Sequence, residues 1–137
     1  MSTKEELQNC LHEIKYQKIL KDELYNLFED LFNLKDKKLS HTDRYMKINK
    51  QIDILEKLIE ESEQIVNNVK LKVNKIDQPY KNILFLRYID GKSYDNIAFM
   101  TNYSTARIFQ LHREAVEIYG KKFFISSNSD YNDDKSL

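Results

Sequence analysis

The stretch DGKSYDNIAFMTNYSTARIFQLHREAV, Asp90 to Val116, decides the fold. Asp90-Gly91 is a helix stop, because glycine takes the left-handed backbone that closes a helix without steric cost. Ser93 is an N-cap residue with Asp95 behind it, so a helix restarts there. Ser104 is a second N-cap, which confines the intervening helix to about nine residues. Thr101 to Tyr103 then forms the turn, and a longer helix runs from Thr105 to about Tyr119. Ala98 is small where the two helices must cross closely, and Asn102 tolerates positive φ in the turn. Ile97, Ile108 and Leu111 fill the space between, with Tyr103 stapled against Ile108. A short helix, a tight turn and a longer helix make a helix-turn-helix.

Upstream, Asp77-Gln78-Pro79 ends one pattern and begins another, since proline fits the first turn of a helix but not its interior. The helix so started spans about Pro79 to Ile89 and offers Ile83, Leu84, Leu86 and Ile89 to a core. Before it, Tyr45, Ile48, Ile52, Leu55, Ile59, Ser62, Val66, Val69, Val73 and Ile76 alternate at steps of three and four. That 3.5-residue repeat predicts a coiled-coil helix roughly 48 Å long at 1.5 Å per residue. Leu58 and Ile65 beside the seam allow a third or fourth helix to join. The first helix is predicted from Thr3, in a capping box with Glu6, to about Leu34, and KDKKLSHTD, Lys35 to Asp43, is the loop of a hairpin. Its apolar spacing shifts register between Ile14 and Leu20, while Tyr16, Ile19, Tyr25, Phe28 and Phe32 widen the stripe enough for more than one neighbour.

With two glycines and one proline in 137 residues, few positions interrupt helix. The expected fold is all-α: a long N-terminal helical hairpin (coiled-coil-like, 1–78), then a helix-turn-helix domain (79–124) and an acidic disordered tail (125–137) ending NSDYNDDKSL. Charges cancel at 22 basic against 22 acidic, so no global basic signature of nucleic-acid binding exists. The distribution is uneven, however: 79–124 carries seven basic residues against four acidic, a positive excess on the segment that holds the helix-turn-helix.

Cys10 is the one cysteine and forms no intrachain disulfide. No apolar run approaches the roughly 18 residues of a membrane span, and Met1 to Cys10 is too charged for a signal peptide. A cytoplasmic protein of a bacterial or phage-infected cell is expected, in keeping with a Lys- and Asn-rich composition that suggests A+T-rich coding sequence. His12, His41 and His112 are scattered at no zinc-binding spacing, and Glu60, Glu61 and Glu63 form a solvated helix face. Lacking a phosphate loop, a nucleophile elbow or a convergent acid-base set, the sequence predicts no enzyme, cofactor or metal.

If the helix opened by Ser104 reads DNA, its outward leading face presents Thr105, Ala106, Phe109, Gln110 and Arg113. Gln110 suits adenine, Arg113 or Arg107 a phosphate or guanine, and Ala106 or Phe109 a thymine methyl; Phe109 has the alternative of packing on a neighbouring helix. Lys81, Lys92, Lys121 and Lys122 would add salt-dependent phosphate affinity.

The run LFLRYIDGKSYDNIAFMTNYSTARIFQLHREAV, Leu84 to Val116, resembles the fourth region of bacterial sigma factors and, more closely, phage ArpU-type late transcription regulators. Arg87-Tyr88, Gly91, Ser93, Ile97-Ala98 and Ser104 carry the resemblance, which covers about Pro79 to Tyr119. It implies a phage-encoded regulator that binds duplex DNA. A long single pair of heptad helices leaves apolar surface exposed, so the arm is expected to homodimerise or to contact RNA polymerase. Sigma factors place charged residues after the serine cap, where this chain has Thr105 and Ala106, so an operator other than a standard promoter −35 element is implied. The competing expectation is a helical protein-protein interaction module that acts on RNA polymerase or another partner without touching DNA.

Overall fold

A computed structural model describes residues 2–125, and these are all-α, with no strand among the described residues. The expected acidic tail lies outside the described residues apart from Ile125. Helix α1 spans Thr3–Asp36, α2 Asp43–Asn74, and α3 Tyr80–Leu84, which continues as a π-helical turn over Phe85–Ile89. Helix α4 spans Tyr94–Thr101 and α5 Thr105–Gly120, which continues as a second π turn over Lys121–Ile125. None of the helices is long and apolar enough to cross a membrane.

Local chemistry explains each helix end. At α1 the cap is Ser2, not Thr3: the Ser2 hydroxyl accepts from Glu5 N at 3.2 Å, and Thr3 is already helical. The far end of α1 closes on Lys38, whose φ of 58° is left-handed. There Leu39 N donates to Leu34 O at 2.7 Å and Lys38 N to Lys35 O at 2.9 Å, the paired bonds of a Schellman cap. Thr42 opens α2 by accepting from Tyr45 N at 3.3 Å. Pro79 stands just before α3 and not inside it, with the Gln78 side chain accepting from Asn82 N at 3.1 Å. Gly91, at φ 69°, closes the π turn, and Lys92 N reaches back to Leu86 O at 2.9 Å.

The heptad positions of α2 are buried or half-buried throughout, with Ser62 at 2% exposure despite its hydroxyl. On α1 the shielded seam is Leu7, Cys10, Ile14, Gln17, Leu20, Leu24, Leu27, Leu31 and Leu34. Gln17 carries the register shift, as two successive three-residue steps locally overwind the pattern.

The chain divides into two compact units, one made of residues up to Leu11 and from Val66 onward, the other of His12–Ile65. The sequence placed a boundary at Pro79, yet the ends of both long helices cluster with the helix-turn-helix. Periodicity reports that a helix face is covered but not by what. In the first unit, Ile83, Leu86, Ile97, Ala98, Ile108 and Leu111 form a core, flanked by half-buried Tyr80 and Tyr94. Tyr103, just before the Ser104 cap, is 39% exposed. Glu6 of α1 binds two distant partners in this unit: Tyr119 OH donates to Oε2 at 2.7 Å and Lys72 Nζ to Oε1 at 2.9 Å. Gly120 sits against Thr3 so closely that a Cβ there would lie 2.6 Å from Thr3 Oγ1. In the second unit, Leu31, Ile48 and Ile52 form the core, with Leu24, Leu27, Leu34 and Tyr45 packed against it. Ser62 there donates to Glu13 Oε2 at 2.6 Å.

Glu6→Ala removes the acceptor of two charge-assisted bonds and strands the buried Tyr119 hydroxyl. Urea unfolding should show a loss of about 3 kcal/mol; a loss below about 1 kcal/mol would mean that the two bonds contribute little to holding the first unit together.

Candidate nucleic-acid interface

Helix α5 is presented by three consecutive local constraints. Asn102 adopts φ 62° and ψ 19°, breaking the chain direction after α4. Ser104 follows in extended conformation, and its hydroxyl accepts from Arg107 N at 3.1 Å. The Thr101 hydroxyl, meanwhile, donates to Ile97 O at 2.6 Å and so keeps the last turn of α4 wound up to the break.

Along α5, Ile108, Leu111, Ala115 and Tyr119 are buried. The opposite side, Ala106, Gln110, Arg113 and Glu117, is exposed. At 3.6 residues per turn these two sets lie diametrically across the helix. Of the residues singled out from sequence, Ser104, Ala106, Arg107, Gln110 and Arg113 are all exposed on or beside this strip, and Thr105 is half-buried. Thr105 Oγ1 lies 3.4 Å from Asp95 Oδ1, and Gln110 Nε2 lies 3.4 Å from Glu114 Oε1. Glu114 in turn accepts from Tyr80 OH at 3.0 Å.

Phe109 does both things considered for it. It is 47% exposed, and its ring also packs on Tyr94 with centroids 4.7 Å apart. Lys92 is half-buried at the entry to α4, where its carbonyl accepts from Arg87 Nη1 at 3.0 Å. Lys121 and Lys122 lie at the other end of α5, roughly 25 Å from Ser104 at 1.5 Å per residue. Lys122 donates to Lys75 O at 2.7 Å, tying down the end of α2, and Lys121 is 3.9 Å from Glu117. The structure therefore does not gather these two lysines with the leading turn of α5.

Sequence reasoning missed two features. Lys4, a hundred positions away in the chain, lines a cleft together with Tyr94, Phe109, His112, Arg113 and Val116. No local signal marks it, since only the packing of α1's first turn brings it there. Phe99 is 85% exposed on α4, beside Met100 at 53%; the apolar pair is visible in the sequence but its direction is not.

Beneath the Phe109 flank lies a polar contact in an aromatic setting. Tyr88 OH and His112 Nε2 are 2.7 Å apart, and Tyr94 meets the His112 ring edge-on at 5.2 Å. Burial, then the nearby Arg87 and Lys4 charges, lowers the His112 pKa to about 4, and burial raises that of Tyr88 to about 12. Both shifts favour a neutral imidazole accepting from a neutral phenol. Arg87, whose guanidinium carbon lies 4.3 Å from the Tyr94 ring centroid, is committed to the interior by that stacking and by its bond to Lys92 O.

No known protein family, curated protein or solved structure matches this chain. Among the described residues, no group of three or more His, Cys, Asp or Glu is placed to hold a metal ion.

Because the folded pKa of His112 lies below its ordinary 6.5, the unfolded chain takes up the proton first as pH falls. The stability tied to the neutral ring is complete above pH 6.5 and is lost as pH drops toward about 4. Thermal melts at neutral pH and near pH 5 should show a smaller acid-induced drop in Tm for His112→Gln, which keeps an acceptor but cannot be protonated. An equal drop in both proteins would remove His112 as the cause.

Proposed function

We propose that this chain is a DNA-binding transcription regulator, phage-encoded as its resemblance to ArpU-type regulators implies, that reads duplex DNA with the leading turns of α5. The observation that carries the reading is the exposed strip of Ala106, Gln110 and Arg113. It stands clear of the core on a helix whose entry is fixed by the Asn102 turn and the Ser104 cap. A single α-helix of this kind fits a B-DNA major groove, where Gln110 matches the donor-acceptor pair of adenine and Arg113 that of guanine. Arg107 on one flank and Lys92 near the start of α4 are candidates for the bordering phosphates.

A second copy of the chain is the proposed partner for the hairpin of the second unit. Tyr25, Phe28 and Phe32 stand exposed along α1, and a groove of about 430 Å³ runs between Leu27 on α1 and Ile54 and Leu55 on α2. Two-fold pairing of such hairpins covers that apolar surface. RNA polymerase is the further proposed partner.

The exposure of Phe99 and Met100 favours a second reading, in which α4 docks a partner protein and DNA is not touched. The two readings separate in one experiment. Selection from random duplexes with the full chain should enrich a specific sequence. Replacing Gln110 and Arg113 together with Ala should weaken binding to it by tenfold or more without changing the melting temperature. Enrichment of no duplex, even at low salt, would overturn the DNA reading and leave the docking one.

A further inference from the structure

The cleft beside the exposed strip has a composition that its position makes informative. It encloses about 410 Å³ between Lys4 of α1, Tyr94 of α4 and Phe109, His112, Arg113 and Val116 of α5. Two of those side chains are permanent cations and none is a carboxylate. The aromatic wall is ordered, with Tyr94 against Phe109 at 4.7 Å and against His112 at 5.2 Å. Arg87 stacks on the same Tyr94 ring, adding a third positive charge close to the site. His112 is spent on Tyr88 and adds no negative charge.

Lys4 is also in a place that helix stability does not favour. It is the second residue of α1, where the helix dipole destabilises a cation, whereas the next two positions hold the acids Glu5 and Glu6 that a first turn favours. Glu6 is turned to Lys72 and Tyr119 instead of to Lys4. Lys4, which is exposed, thus lines an aromatic cleft together with Arg113, on the flank of α5 against which Tyr94 of α4 packs. When a helix occupies a major groove, the sugar-phosphate strand bordering the groove passes along such a flank.

We infer that this cleft seats one phosphodiester of the bordering DNA strand, Lys4 and Arg113 taking the phosphate and the Phe109–Val116 wall packing on the adjoining deoxyribose. The inference rests on the DNA-binding reading above and adds to it a contact from the first turn of the chain. Lys4 reads no base, so its contribution is uniform across sequences and sensitive to salt. Each phosphate neutralised releases condensed counterions and adds about 0.9 to the slope of log affinity against log salt.

The test is anisotropy titration of the full-length protein and its Lys4→Gln variant with the selected duplex and with an unrelated one, over a range of salt. Expected for Lys4→Gln are a slope shallower by about 0.9 and an affinity about five-fold weaker near 0.15 M salt on both duplexes. Lys4→Arg should restore both, and the melting temperature of Lys4→Gln should equal or exceed that of the native chain. An unchanged slope in a protein that still binds DNA would overturn the inference while the DNA reading stands. If the native chain binds no duplex, both fall together. A free mononucleotide offers the same phosphate and sugar, so dAMP is titrated alongside. Binding of dAMP that depends on Lys4, with the duplex slope unaffected, would likewise overturn the assignment to the DNA strand.

Discussion

One carboxylate, that of Glu6, joins the most distant parts of the first unit. Its two oxygens accept from Lys72 and from Tyr119, 66 and 113 residues away along the chain. A half-buried anion costs solvation, and here the cost is offset by two short charge-assisted bonds plus the stacking of Lys72 near Phe123 and Phe124, at 5.7 and 5.3 Å from their ring centroids. The start of α1, the end of α2 and the end of α5 meet at this point. Their approach is close enough that Gly120 has no room for a side chain against Thr3.

From that anchor the properties of α5 follow in order. Its C-terminal end is held by Tyr119, and Lys122 is spent on the carbonyl of Lys75. Its middle is clamped by Ile108, Leu111 and Ala115, all fully buried. One side of the helix, from Ala106 through Gln110 and Arg113 to Glu117, remains uncovered, and it carries side chains able to hydrogen-bond a ligand. Polar groups on this helix therefore sort by the face they occupy: His112, on the side turned to Tyr88 and Tyr94, is consumed by structure, and Gln110 and Arg113 face solvent.

A chain with no net charge cannot rely on a diffuse positive field to find a polyanion. Whatever it binds, specificity must come from a few well-placed groups. Lys4 and Arg113 line one aromatic cleft with Tyr94 and Phe109, while Asp95, Glu114 and Glu117 are engaged by Thr105, Gln110 or Tyr80, and Lys121.

Much of this was legible because it is local. A serine that caps a helix, an asparagine or glycine that permits positive φ, and an apolar period of 3.5 residues each act over one or two turns, so Ser93, Ser104, Asn102, Gly91 and the α2 seam are evident from neighbours alone. Short-range alternatives blurred the details: Ser2 captures the cap that Thr3 also fits, and Lys38 takes a left-handed φ that composition would assign to glycine. What the sequence determined by itself is five helices, their breaks and the buried seam of α2, whereas Tyr16, Ile19, Tyr25, Phe28 and Phe32, read as widening the stripe of α1, stand exposed. Only the tertiary structure decided that the start of α1 and the end of α2 belong with the helix-turn-helix, that Lys122 is tied to the carbonyl of Lys75 and that Lys4 is brought beside Phe109 and Arg113. Those outcomes depend on contacts between residues 47 to 113 positions apart, and no local pattern encodes which buried face meets which.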